Sequence, residues 1–227
     1  MPPATRPTEK LLRVAKGGVG RRQQFSTATR RTLVDVARQQ FATRGYAGTS
    51  LDAIVAGATV TKGALYHHFS GKQALFEAVF EDVERDAMSA IAEALTTKRD
   101  PWDKAMDGLR AFLRVVREPT YQRIVIQEGP AVLGYERFRE QEERSTFGLV
   151  RQIVHEVLST TSYGLDEEMM TTFTQIFFGA MSAAGESVST AADPEVAVAR
   201  VETAIGFILL GLRTLAEQGA EIPTVEP

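Results

Sequence analysis

The chain has 227 residues, 44% of them hydrophobic, with no cysteine and a net charge of −3. That is enough apolar material for one or two packed domains, and it leaves no means of building disulfides, thiolate metal sites or a cysteine nucleophile. No apolar run approaches the roughly 18 residues that a membrane-spanning helix needs, and the N-terminus lacks the apolar stretch of a secretory signal, so a cytoplasmic protein with no membrane partner is expected.

The small net charge conceals a division. Residues 1–72 hold twelve of the 26 Lys and Arg but three of the 29 Asp and Glu, which gives +9 there and −12 over the remainder. A basic module joined to an acidic one reads as a polyanion-binding end on a soluble body.

In chain order, residues 1–25 carry three prolines, three glycines and six Lys or Arg, and are expected to form a basic flexible arm. From Ser26 to Arg44, Leu33, Val36, Ala37 and Phe41 recur at helical spacing, with Gly45 as the stop. Thr49-Ser50-Leu51-Asp52 resembles a capping box opening a short helix whose Leu51, Ile54, Val55 and Ala58 point inward. After Thr59 and Val60 comes a second short helix, capped by Thr61. At about 100° per residue it divides cleanly: Lys62, Gly63, Tyr66 and His67 fall on one face, Ala64, Leu65 and His68 on the other. A cation, a phenol, an imidazole and bare backbone suit the major groove of DNA better than they suit water alone. Two short helices joined by a turn, behind a longer first helix, describe a helix-turn-helix unit over residues 26–72.

Ser70-Gly71-Lys72-Gln73 starts a helix with Ala74, Leu75, Ala78, Val79, Val83, Ala87 and Ile91 on its apolar side, and Lys72 in its first turn suits a DNA phosphate. The next helix spans Trp102 to Arg117; Tyr121 to Gly134 reads as a short segment and an irregular connection. A long helix follows over about Tyr135 to Ser159, with a turn at Tyr163-Gly164. The last two helices begin at Asp166 and at Asp193-Pro194. Their stripes, Phe173, Phe177, Ala180 and Ala184 on one and Val201, Ile205, Ile208 and Leu212 on the other, are broader than one packing face needs and predict a two-fold dimer seam. Residues 73–220 are thus assigned to a ligand-binding and dimerisation domain, and 221–227 to a tail.

Thr49-Ser50-Leu51-Asp52-Ala53-Ile54 followed by Val60-Thr61-Lys62-Gly63-Ala64-Leu65-Tyr66-His67-His68-Phe69-Ser70-Gly71-Lys72 resembles the signature of the tetracycline-repressor (TetR) family, over about residues 28–76. The resemblance implies an all-α protein: an N-terminal three-helix helix-turn-helix domain plus a C-terminal antiparallel helical bundle for ligand binding and dimerisation. It implies a homodimer on double-stranded, palindromic operator DNA, released by a small-molecule inducer, largely apolar. By similarity, Thr61, Lys62, Gly63, Tyr66 and His67 contact DNA, Thr49 and Ser50 hold phosphate, and Arg30 and Lys72 clamp the backbone. The family places glycine where this chain has Thr59, so either the turn differs or a β-branched residue carries left-handed strain. Among the aromatic and methionine residues, Met106, Phe112, Tyr135, Phe138, Phe147 and Phe178 are the candidates to line an inducer cavity.

No catalytic constellation, metal set or cofactor motif is expected: His67 and His68 diverge by about 100° with no third ligand in register, and lone His155 reads as a core or pocket histidine. The competing class is a helical ligand carrier or small enzyme whose N-terminal module binds protein instead of DNA. It predicts no salt-steep DNA binding.

Overall fold

The computed structural model describes the backbone of residues 7–96, 100–161 and 165–219, with side chains from Gln24 onward. Among the described residues every regular element is helical, and the chain divides into two compact units with the boundary between Val79 and Phe80.

The first unit holds α1 (Pro7–Gly48), α2 (Leu51–Ala58), α3 (Lys62–His68) and the start of α4 (Lys72–Ala94). α1 starts well upstream of Ser26, which corrects the expected arm: Pro7 fits the first helical position, and Thr8 to Lys16 are mostly good helix formers that carry the backbone through Gly17, Gly18 and Gly20. Gly45 interrupts the far end at φ 73°, the positive φ for which glycine stands there. Leu33, Val34, Ala37 and Phe41 of α1 close on Ile54 of α2, Leu65 of α3 and Leu75, Phe76 and Val79 of α4, all buried. Phe41, Tyr46 and Phe76 pack ring to ring at 5.3 to 5.8 Å. α2 lies so close to α1 that a Cβ on Gly57 would stand 2.9 Å from Val36 Cγ1.

The turn between α2 and α3 is a Schellman motif. Thr59 N–H donates to Ala56 O and Val60 N–H to Val55 O, each at 3.2 Å, with Thr59 left-handed at φ 56°, ψ 41°. The strain alternative is therefore the one realised.

The second unit holds the rest of α4, then α5 (Pro101–Val116), α6 (Pro119–Tyr121), a π-helical stretch Gln122–Glu128, α7 (Gly129–Leu133), α8 (Tyr135–Glu142), a π-helical stretch Glu143–Phe147, α9 (Gly148–Leu158), α10 (Glu167–Ser189) and α11 (Pro194–Glu217). The connection expected to be irregular is helical: Pro119 and Pro130 both sit in first turns, where a missing N–H costs nothing. Asp100, Asp166 and Asp193 cap α5, α10 and α11 by accepting backbone N–H bonds. The turn expected at Tyr163-Gly164 and residues 220–227 lie outside the described residues. α5, α9, α10 and α11 pack on one another around Trp102, Val157 and Leu209.

Candidate nucleic-acid interface and ligand cavity

α3 is positioned by Leu65, which is fully buried, and by Phe69 just past its end. Thr61 caps it, its hydroxyl accepting from Ala64 N–H at 3.1 Å. Thr61, Lys62, Gly63, Tyr66 and His67 are all exposed, Tyr66 by 59%, while Ala64 and His68 are half-buried. The face division expected from periodicity is thus the one observed. Lys62 Nζ lies 2.7 Å from Asp52 on α2, both exposed; that hydrogen bond, then Asp52's charge, raises the lysine's pKa. Both partners stand in water, where such a pair is weak, so Lys62 can exchange Asp52 for a phosphate. Burial, then the charges of His67 and Arg30, lowers the His68 pKa.

Two cations flank α3 on aromatic platforms that the sequence reading missed. The Arg30 guanidinium sits 5.3 Å from the Phe69 ring centroid and Lys72 Nζ 4.3 Å from that of Tyr46. Each ring fixes a long side chain through cation–π attraction and leaves its charge accessible. The signal was present as an aromatic at each of those positions, but nothing in spacing says which cation a ring will hold.

Thr49 is corrected. The helix cap is Ser50, whose exposed hydroxyl accepts from Ala53 N–H at 3.1 Å. Thr49 is 2% exposed and its hydroxyl donates inward to Gly45 O at 2.8 Å, with Gln40 O at 3.2 Å. It holds the end of α1 to the start of α2 and offers no side chain to a phosphate.

The second unit holds a cavity of about 500 Å³, open to solvent on one side, between α5, the π-helical stretches, α7, α8 and α10. Of the six residues expected to line a cavity, Phe112, Tyr135, Phe138 and Phe178 do. Phe147 does not: its ring sits edge-on to Phe178 at 5.7 Å and backs it. Met106 does not either, packing against the Trp102 cluster and close to Gly206. Tyr121, one of the wider aromatic set that could line an inducer cavity, lines it too, and so do Arg139 and Glu142, which were not singled out for this site. Behind them α4 carries a buried carboxyl, Glu84, which accepts from Ser145 Oγ at 2.6 Å. Burial raises its pKa to about 7, opposed by that hydrogen bond and assisted by the charge of Glu142. Burial likewise raises Glu142, with Arg139 opposing, and raises the Tyr121 phenol, to which Glu84 and Glu142 add.

A smaller apolar cavity of about 90 Å³ shares Phe112, Thr146 and Met181 with the first and is lined by Phe177, Ile205 and Leu212 among others. Those three, with buried Ala184, face inward and are withdrawn from the expected dimer seam. Phe173 and Val201 are half-buried, while Ala180 and Ile208 are exposed as expected. The exposed apolar face of α10 and α11 is carried instead by Ile176, Phe207, Ile208, Leu210 and Leu215. His155 is also corrected: it is exposed, with Nδ1 3.3 Å from Ser159 Oγ. Among the described residues no group of three potential metal ligands occurs, and no helix is long and apolar enough to cross a membrane.

A capped helix-turn-helix with a cationic, aromatic outer face, followed by a helical unit with a chambered interior, defines a ligand-responsive DNA-binding regulator. Comparison with known proteins narrows the class. Residues 33–79 match the family described as bacterial regulatory proteins, tetR family, and residues 102–212 match the tetracyclin repressor-like C-terminal domain. Over 139 residues the chain is 30% identical to the Tn10 TetC protein of Escherichia coli, covering 60% of this chain and 68% of that one. It is 30% identical over 136 residues to a probable acrEF/envCD operon repressor of E. coli K12, covering 57% of this chain and 60% of the repressor. A TetR-family regulator from Pectobacterium atrosepticum superposes with a TM-score of 0.72 at 28% identity, over 83% of this chain and 96% of that one. The chain belongs to the TetR family and is a transcriptional regulator.

Proposed function

We propose that the protein is a repressor that binds a palindromic operator as a homodimer and is released by a small molecule. Two copies of α3 enter successive major grooves, about 34–36 Å apart or at a related spacing. Thr61, Lys62, Gly63, Tyr66 and His67 meet base edges and phosphates, while Ser50, Arg30 and Lys72 hold the backbone on either side. The observation that carries this reading is the outer edge of α3, where these five positions are exposed together while Leu65 anchors the helix from behind.

The inducer occupies the cavity of about 500 Å³, a size suited to a drug-like molecule. α4 runs unbroken from Lys72 in the first unit to Ala94 in the second, so a shift of its second half reaches α3's neighbour. A coupling of about 1–3 kcal/mol would lower DNA affinity some 5- to 150-fold.

The test is a gel-shift titration on the chain's own upstream intergenic region. Tyr66→Ala is expected to weaken specific binding by about 1–3 kcal/mol, the scale of one good groove contact. Unchanged affinity, or binding without sequence preference, would count against the assignment.

A further inference from the structure

The larger cavity of the second unit is walled mainly by rings and aliphatic carbon, with Gln127, Arg139, Glu142 and Glu186 among the polar groups that line it. Tyr121 lines it at 8% exposure, and its hydroxyl has no hydrogen-bond partner among the described residues. Glu142 lines it half-buried, and among the described residues its carboxylate takes no hydrogen bond and joins no ion pair. The cation that also lines the cavity, Arg139, acts on Glu142 by its charge without bonding to it: its guanidinium lies 5.6 Å from the Phe178 ring centroid and 3.5 Å from Glu143. Glu84, buried behind this wall, accepts a hydrogen bond from Ser145. Tyr121, more than nine-tenths buried, thus keeps an unbonded phenol in the same cavity as a carboxylate that no described donor reaches, and a ligand bearing N–H groups would serve both.

We propose that this cavity takes a small organic cation, a protonated amine or amidine on a ring-bearing apolar body, whose N–H groups donate to Glu142 and the Tyr121 hydroxyl while the body packs on Phe112, Phe138 and Phe178. The assignment rests on the reading of the cavity as the regulator's ligand site. A cation supplies the donor that Arg139 does not and adds to its charge, and the aromatic faces attract it as well. A neutral donor supplies the hydrogen bond alone. An anion would have to displace Glu143 from Arg139 and enter against the charge of Glu142, with Glu84 behind it.

Three tricyclic probes of similar shape separate these cases by fluorescence anisotropy at pH 7.5 with no DNA present: 9-aminoacridine, which is a cation there, acridine, which is neutral, and acridine-9-carboxylate. The cation is expected to bind about tenfold or more tighter than acridine, the scale of one charge-assisted hydrogen bond, and the carboxylate weakest of all. Glu142→Gln, which keeps shape and removes charge, is expected to bring cation and neutral probe to near parity, and Tyr121→Phe to weaken the cation by a smaller factor while both variants keep circular dichroism and melting like the parent. Equal binding of acridine, preference for the carboxylate, or full cation affinity in Glu142→Gln would overturn the proposal. A parallel gel shift with the unaltered protein keeps the two readings apart: operator binding without cation preference sinks the cavity chemistry alone, and Glu142-dependent cation binding without operator binding sinks the regulatory reading alone.

Discussion

Single residues decide more in the first unit than its helical content does. Thr59 is the clearest case. Its left-handed dihedrals complete two backbone hydrogen bonds at the end of α2, and a β-branched side chain there costs about 1–2 kcal/mol relative to glycine in the folded state. Glycine pays part of that back through the greater freedom of the unfolded chain. Thr59→Gly is therefore expected to stabilise the protein by about 0.5–1 kcal/mol, seen as a higher urea midpoint with an unchanged slope; a lower midpoint would mean that the threonine side chain contributes a contact outweighing its strain. The question was visible in the sequence, because a Thr stands where such a turn wants Gly, but its answer needed the dihedrals. Thr49 and Ser50 show the opposite limit. Both can cap a helix, they are adjacent, and what separates them is that Gly45 and Gln40 carbonyls stand where Thr49's hydroxyl can reach them.

At the scale of elements, legibility followed how one-sided each helix is. α3 divides cleanly because one large aliphatic, Leu65, is set against an outer face of polar and small groups. α10 and α11 are apolar around much of their circumference, so periodicity could not say which stripe was core; Phe177, Ile205 and Leu212 went inward and Phe207 and Leu210 outward. α4 held a signal that was legible in principle. Glu84 stands four residues after Phe80 and three before Ala87, on the buried stripe, and a charge on such a stripe marks a partner or a shifted pKa. Its pKa rises from an ordinary 4.5 to about 7 under burial, Ser145, Glu142 and Tyr121 being the groups that face it. The folded chain thus holds this proton more tightly than the unfolded one. The group favours folding below about pH 4.5, and that contribution is lost as pH rises toward 7 and the carboxylate forms. Glu84→Gln keeps an acceptor for Ser145 and cannot ionise. It is expected to match the parent near pH 4.5 and to exceed it at pH 8 by up to about 3 kcal/mol, read as the difference in chemical-denaturation stability at the two pH values. A variant less stable than the parent at pH 8 would show that the buried charge is matched by donors stronger than Ser145.

For the whole molecule, the proposed operator reading requires two copies, and the exposed face of α10 and α11 is where they are expected to meet. Phe207 is 78% exposed, with Ile176, Ile208 and Leu210 also more than half exposed, and large apolar side chains left in water on two packed helices are what a protein interface covers. Gly179 and Gly211 have nothing within 4 Å of the position a Cβ would take, which leaves room for the close approach of another backbone. In a two-fold seam each residue meets the same surface it belongs to, so Phe207→Glu places two carboxylates in one desolvated interface while leaving the Trp102, Val157 and Leu209 core untouched. The variant is expected to sediment as a folded monomer where the parent sediments as a dimer. Its operator affinity should fall by about 10²–10⁴, because the second half-site is then reached from free solution and no longer at the high local concentration that linkage provides. Retention of both the dimer and the operator complex would move the seam elsewhere on the molecule. Loss of the dimer with full operator affinity would mean that one copy of α3 with its flanking cations is sufficient, and that palindromic recognition is not how this chain finds its site.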